Sequence, residues 1–315
     1  MNRDQLLQTV RETLNNSGFY VSEICSMRPI GFDLVARRDN SLLIIKVLTN
    51  IDAFSEEVAK ELLTLSKLLK ASPLLIGEKS AVKKLEEDVI YYRFNIPTIT
   101  SETLKNHLLE GIPLEVYAAP GGLYVQLDHD KLSELREKKK ISLGSFARSL
   151  KVSRRTVKMY EDGMNARVDV AIRIEELVKE IITKPIDLLK PRPSENQDFN
   201  KFDKNKLEGF QREILSKLED VGYKVIPMIR CPFEAVSKDN KKVLLTCVSR
   251  YDKKLLRKAH TVGRISKIAE KHAVLITDRD VDKSNIEGTP LIVDKELKKL
   301  RGPEEIIELI VDRVT

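Results

Sequence analysis

The sequence predicts an α/β plus all-α protein, in which two copies of one α/β domain flank a helical domain. Segments in the first and last thirds of the chain match in order, and nine cations crowd into 23 residues between them. A proline-rich polar run then precedes the second copy. The expected divisions are an α/β domain over 1–116, a hairpin plus helical domain over 117–184, a linker over 185–205 and a second α/β domain over 206–315.

The repeat sets the architecture. In the first copy an amphipathic helix with Leu6, Leu7, Val10 and Leu14 stops near Gly18; in the second, a helix with Phe210, Ile214 and Leu218 stops near Gly222. Phe32-Asp33-Leu34-Val35 and Phe233-Glu234-Ala235-Val236 each run into a turn, at Asp39-Asn40 and Asp239-Asn240, and read as hairpins. The continuous apolar runs that follow, Leu42 to Ile45 and Val243 to Leu245, suit a central strand covered on both faces. A charged helix comes next in each copy, Glu56 to Lys70 or Lys253 to Lys271. Two further strands and a helix beginning at Ser101 or Asp294 complete the unit.

Between the copies, Tyr117 to Tyr124 reads as a hairpin turning at Pro120-Gly121-Gly122. A helix with Leu132 and Leu135 follows and is closed by Lys138, Lys139 and Lys140, cations that suit a negative helix end. Ser142 is placed to cap a second helix, Leu143 to Leu150, whose apolar residues Phe146, Ala147 and Leu150 recur at helical spacing. Ser153 is placed to cap a third, Arg154 to Asp162, with Val157 and Tyr160 inward and Arg154, Arg155, Lys158 and Met159 outward. From Lys184-Pro185 to Gln197 the chain is proline-rich and polar, the composition of a linker.

Charge is concentrated here. The whole chain carries 55 Lys and Arg against 48 Asp and Glu, a net +7. Arg136 to Lys158 alone holds nine cations opposed only by Glu137, so the remainder is about neutral and a polyanionic partner is expected at this stretch. Apolar residues at 42% and charged residues at 33% suit a globular protein. Cys25, Cys231 and Cys247 are an odd set without metal spacing, which predicts no disulfide framework and suits a cytoplasmic setting. His107, His129, His260 and His272 are scattered, so no metal site and no cofactor are expected. No apolar run approaches the roughly 18 residues of a membrane span, and no membrane partner is expected.

The run Leu135-Arg136-Glu137-Lys138-Lys139, Ile141-Ser142-Leu143, Phe146-Ala147, Leu150, Val152-Ser153-Arg154-Arg155-Thr156-Val157 and Tyr160-Glu161-Asp162-Gly163 resembles the Cro/repressor-type helix-turn-helix. That resemblance implies a recognition helix over 153–162 in the major groove of double-stranded DNA, and a homodimer on half-sites about one turn apart. The expected DNA-binding residues are Ser142, Ser153, Arg154, Arg155, Thr156 and Lys158, with Lys138, Lys139 and Lys140. Lys151 departs from the family, which favours glycine in the turn.

The order of elements in the two flanking domains resembles the restriction-endonuclease-like fold, including archaeal Holliday-junction resolvases. Active members of that superfamily hold a metal with one acid on a hairpin strand and an acid-x-lysine pair on the next. Asp33 and Lys46 fall where the first acid and the lysine belong, but Ile44 stands for the second acid. In the second copy Glu234 could be the first acid, with Leu244 and Thr246 at the other two places. Asp33 and Lys46 therefore read as a degenerate remnant, with Glu23, Glu56 or Glu57 as the candidates that could restore a ligand set. The resemblances together imply an archaeal-type transcription regulator that is not an enzyme; the alternative is a metal-dependent repair or junction nuclease targeted by the helix-turn-helix. A third reading is an antitoxin or scaffold whose DNA binding serves autorepression.

Overall fold

A computed structural model of the chain describes residues 2–25, 30–191, 207 and 209–314. By its internal contacts the chain divides into two compact units. One comprises Met1–Leu48, Asp52–Leu75 and Leu189–Thr315, and the other Thr49–Ile51 and Ile76–Leu188.

The first unit begins with α1 (Arg3–Asn16), started by a capping box in which Asn2 and Gln5 satisfy one another's backbone N–H. Its Leu6, Leu7, Val10 and Leu14 are buried, as their spacing predicts. After Gly18, at φ 83°, come β1 (Tyr20–Val21), β2 (Leu34–Arg38) and β3 (Ser41–Asn50). β2 and β3 form an antiparallel hairpin closed by Arg38↔Ser41, leaving Asp39-Asn40 as a two-residue turn with Asp39 at φ 50°. Every residue from Leu42 to Val47 is buried, so β3 is covered on both faces. α2 (Glu56–Leu69), capped by Ser55, returns the chain to β4 (Ser72–Ser80), which lies beside β3.

In the second unit, β5 (Lys83–Lys84) pairs with the end of β4. β6 (Val89–Arg93) and β7 (Ile96–Ile99) make a hairpin across Phe94 and Asn95, both at positive φ. α3 (Ser101–Leu109) follows, then β8 (Val116–Ala119), parallel to β6, and β9 (Gly122–Leu127), antiparallel to β8. The β6–β8 pair ties residues before 116 to those after it. The chain continues as α4 (His129–Lys138), α5 (Leu143–Leu150), α6 (Arg154–Glu161), β10 (Ala166–Arg167), α7 (Val168–Val178) and β11 (Thr183–Lys184). β10 and β11 both pair with β9, which stitches the helices to the hairpin. Most of the expected linker, 192–205, lies outside the described residues. At its start Ile186 and Leu188 are buried and the Ile186 N–H donates to the Leu114 carbonyl at 2.6 Å, because two apolar side chains outweigh the flanking prolines.

The first unit resumes with α8 (Gly209–Asp220), β12 (Lys224–Pro227), β13 (Ala235–Lys238), β14 (Val243–Val248), α9 (Lys253–Ala269), β15 (His272–Thr277), β16 (Asn285–Ile286), β17 (Thr289–Val293), α10 (Asp294–Leu297) and α11 (Pro303–Val314). The sheet order is β12-β13-β14-β15-β17-β16, with β14, β15 and β17 parallel. The β13–β14 hairpin differs from β2–β3 in its turn. Four residues connect the strands, and the Asp239 carboxylate accepts the Lys241 and Lys242 N–H groups at 2.6 Å each.

Within this unit the two stretches of chain meet through a backbone bond from Gly31 N–H to the Arg230 carbonyl and an ion pair between Arg230 and Glu57. Arg37 pairs with Glu270, and His260 sits between Glu287 at 2.5 Å and Glu23 at 3.1 Å. Glu287, then Glu23, raise the His260 pKa above its ordinary value. A raised folded pKa contributes stability below about pH 6.5 that is lost as pH rises through the folded value. His260→Gln should therefore lower the urea midpoint at pH 6 more than at pH 9; equal penalties at the two pH values would remove His260 from the contact.

Cys25, Cys231 and Cys247 are all free thiols. Among the described residues no helix is long and apolar enough to cross a membrane.

Candidate nucleic-acid interface

Each of the three helices after β9 is started by a side-chain cap. Asp128 accepts the Lys131 N–H at 3.2 Å, Ser142 the Ser145 N–H at 3.2 Å and Ser153 the Thr156 N–H at 3.0 Å. Leu132, Leu135, Phe146, Ala147, Leu150, Val157 and Tyr160 converge in one core with Val125, Ile174 and Ile182 from β9, α7 and the chain before β11. Ala147 is buried between helices, where its small side chain permits close approach. α5 ends at Lys151, which takes the left-handed conformation at φ 57° in place of the glycine that favours it. The Val152 N–H then returns to the Ala147 carbonyl at 3.0 Å, so the chain reverses within two residues into α6.

Packing Val157 and Tyr160 inward leaves the opposite face of α6 in solvent. Ser153, Arg154, Arg155 and Lys158 are exposed, as are Ser142 and Lys138 to Lys140, while Thr156 is half-buried with its hydroxyl 2.9 Å from that of Ser153. Met159 is 42% exposed on the same helix. Lys158 makes an exposed pair with Asp162 at 3.1 Å, of the kind worth little in solvent. Arg155 has neither a hydrogen bond nor an ion pair among the described residues.

The charge on α6 opposes its own macrodipole. No acid lies in the first turn, and Arg154 and Arg155 occupy it, at the positive end where each cation costs about 0.3–1 kcal/mol. An external anion would reverse that cost. Arg136 departs from the other eight cations: its guanidinium turns inward to Glu161, Nε to Oε1 at 2.5 Å, and also donates to the Ile141 carbonyl at 3.2 Å. Sequence periodicity missed this pair, although an arginine beside core Leu135 and a glutamate beside core Tyr160 are the available signal.

The remnant acid is placed differently. Asp33 is fully buried, and its Oδ1 receives Arg3 Nη2 at 2.6 Å and Lys46 Nζ at 3.3 Å while Oδ2 accepts the Val47 N–H at 2.8 Å. Arg3 and Lys46 thus stand where a metal would need open oxygens. They line an open cleft of about 570 Å³ with Leu7, Cys25 and Ile30. Burial, ahead of the Asp33 charge, pushes the Cys25 thiol up to about 12.

Glu234 is held alike. Its Oε2 accepts the Val248 N–H at 2.8 Å and its Oε1 receives Lys258 from α9, as Gln211 approaches at 3.4 Å. The strand registers Leu34↔Ile45 and Ala235↔Thr246 make Leu245 and Cys247 the counterparts of Ile44 and Lys46. This corrects by one residue the assignment to Leu244 and Thr246, because the apolar run in β14 offers no side chain to fix the count; neither an acid nor a lysine stands at the corrected positions.

Glu23, Glu56 and Glu57 do not reach Asp33. Glu23 pairs with His260 and Arg264, Glu56 with Lys60 and Glu57 with Arg230. Among the described residues, no group of three or more His, Cys, Asp or Glu side chains could hold a metal ion.

Residues 3–114 match the PD-(D/E)XK superfamily domain, so a mixed α/β nuclease-like domain defines the class of protein at its N-terminal end. Over its full length the chain is 38% identical to a protein of Methanococcoides burtonii, covering 99% of this chain and 98% of that one. It is 36% identical to one of Methanocella arvoryzae, over 99% and 97%, and 35% identical to one of Halobacterium salinarum, over 99% and 98%. Each bears the name "Putative HTH-type transcriptional regulatory protein", and the chain belongs to this archaeal family. No solved structure matches it.

Proposed function

We propose that the chain is a sequence-specific, double-stranded-DNA-binding transcription regulator. In this reading α5 and α6 are a helix-turn-helix of the Cro/repressor type, with 153–162 as the recognition helix in the major groove. The observation that carries it is an exposed cationic face on a capped helix, where among the described residues Arg154 and Arg155 have no carboxylate partner and sit in the first turn, which the helix dipole disfavours. Lys138, Lys139 and Lys140, exposed at the end of α4, would hold phosphates and fix register without reading sequence. The matching registers of β2–β3 and β13–β14, each with a buried acid bonded to a backbone N–H, support reading 206–315 as a second restriction-endonuclease-like copy. A cytoplasmic homodimer, with the α/β copies contacting one another, a partner or flanking DNA, completes the proposal.

The superfamily match gives a second reading, a metal-dependent nuclease directed by the helix-turn-helix. Saturation of Asp33 by Arg3, Lys46 and a backbone N–H favours the non-catalytic one. Two measurements on the full chain decide. Selection from random duplexes should recover one enriched motif, with binding that weakens steeply as salt rises. Incubation with Mg²⁺ or Mn²⁺ and linear or branched DNA should leave the substrate intact; cleavage abolished by Asp33→Ala would establish the nuclease instead.

A further inference from the structure

α5 and α6 bring two arginines to one glycine. A Cβ on Gly144 would lie 3.0 Å from both Nε and Nη2 of Arg154 and 3.2 Å from its Cζ, so the guanidinium lies flat against the bare backbone of α5. Arg148, one turn along α5, folds back onto the same turn of the helix. Its Nε donates to the Gly144 carbonyl at 3.4 Å and its Nη2 to the Ser145 hydroxyl at 3.5 Å. Among the described residues neither guanidinium has a carboxylate partner. Both cations thus rest on the same turn of α5 without a carboxylate partner, and an anion placed against that turn would take N–H donors from both.

Resting on the DNA-binding reading above, we propose that Arg148 and Arg154 form a single phosphodiester clamp over Gly144, leaving base reading to Arg155. A guanidinium that reads guanine presents its fork edge-on, away from the helix that carries it. Arg154 instead leans across to the neighbouring helix, whereas Arg155 is unrestrained on the solvent face. The two adjacent arginines would thus do separate work, and Arg148 joins the contact set. Gly144 is the positioning residue, since any side chain there displaces Arg154.

The test uses the full chain, its selected duplex and a scrambled duplex, titrated over a range of salt. Arg148→Gln and Arg154→Gln should each weaken both duplexes alike, by about tenfold or more, and lower the salt slope by about 0.9. Arg155→Gln should weaken the selected duplex by about ten- to a hundredfold and relax one position of the selected motif. Alanine is the better helix former, so Gly144→Ala should leave folding intact by circular dichroism and thermal unfolding. It should nonetheless weaken binding as Arg154→Gln does and add nothing in the Arg154→Gln background. Unchanged salt slopes, full multiplication of the Gly144 and Arg154 effects, or loss of base preference on replacing Arg154 would each overturn the clamp. A parent chain that binds no duplex would overturn the DNA-binding reading as well, an outcome recognisable before any variant is made.

Discussion

Asp33→Ala should destabilise the first unit by about 3–5 kcal/mol, read as a drop of roughly 1 M or more in the urea midpoint. The substitution removes a carboxylate that Arg3 and Lys46 share and leaves the buried Val47 N–H without its acceptor. Lys46 loses more than Arg3, because its side chain is 11% exposed whereas that of Arg3 is 36% exposed and can turn to water. The sign separates the two readings of the domain. In a working metal site the acids repel one another when the ion is absent, so removing one stabilises the metal-free protein. Here a cation already occupies the place, and removal leaves charge unbalanced. A midpoint unchanged or raised in metal-free buffer would mean that Asp33 is held for chemistry.

The repeat made much of the first unit legible, because apolar runs, glycine stops and turn residues report on local conformation wherever the chain buries one face. Leu42 to Ile45 forms the doubly covered strand it was expected to form, and Ser142 and Ser153 cap the helices they precede. The pattern failed where a partner distant in sequence decides the outcome. β10 and β11 are two residues each and exist only because β9 offers them backbone partners. Lys46 and Lys258 arrive at their buried acids from different elements, a strand and a helix, so aligning the two matching stretches of sequence does not pair the two lysines. Arg136 counts among the nine clustered cations of the sequence, and charge alone cannot show that its side chain turns inward. Sequence placed the candidate reading face on α6, but the lean of Arg154 onto Gly144 belongs to the packing of two helices and has no signature in either one.

Glu161→Ala should weaken DNA binding by at least about tenfold, although bulk electrostatics predicts the reverse. Deleting a carboxylate beside a cationic helix makes the surface more positive, and a polyanion should then bind more tightly. The geometry argues otherwise. Glu161 is the last residue of α6, its side chain is 4% exposed, and it receives Arg136 of α4 in a two-point contact at 2.5 and 3.4 Å. Arg136 also holds the Ile141 carbonyl between α4 and α5, so one guanidinium fixes all three helices together. Removing Glu161 leaves the Arg136 guanidinium with the exposed Glu137 at 3.5 Å as its remaining carboxylate among the described residues, at a cost of about 1.5–3 kcal/mol, and frees the end of α6 from its anchor. A reading helix that is loosely held must be ordered on binding, which lowers affinity even when every DNA-facing side chain remains. Replacing both partners, Arg136→Met with Glu161→Leu, removes the cation as well and should recover most of the lost stability, because apolar packing substitutes well for a buried pair. Affinity should recover with it, showing that the pair positions α6 and does not touch DNA. Tighter binding by Glu161→Ala would show that the local field dominates and that α6 is held in place by its apolar contacts alone.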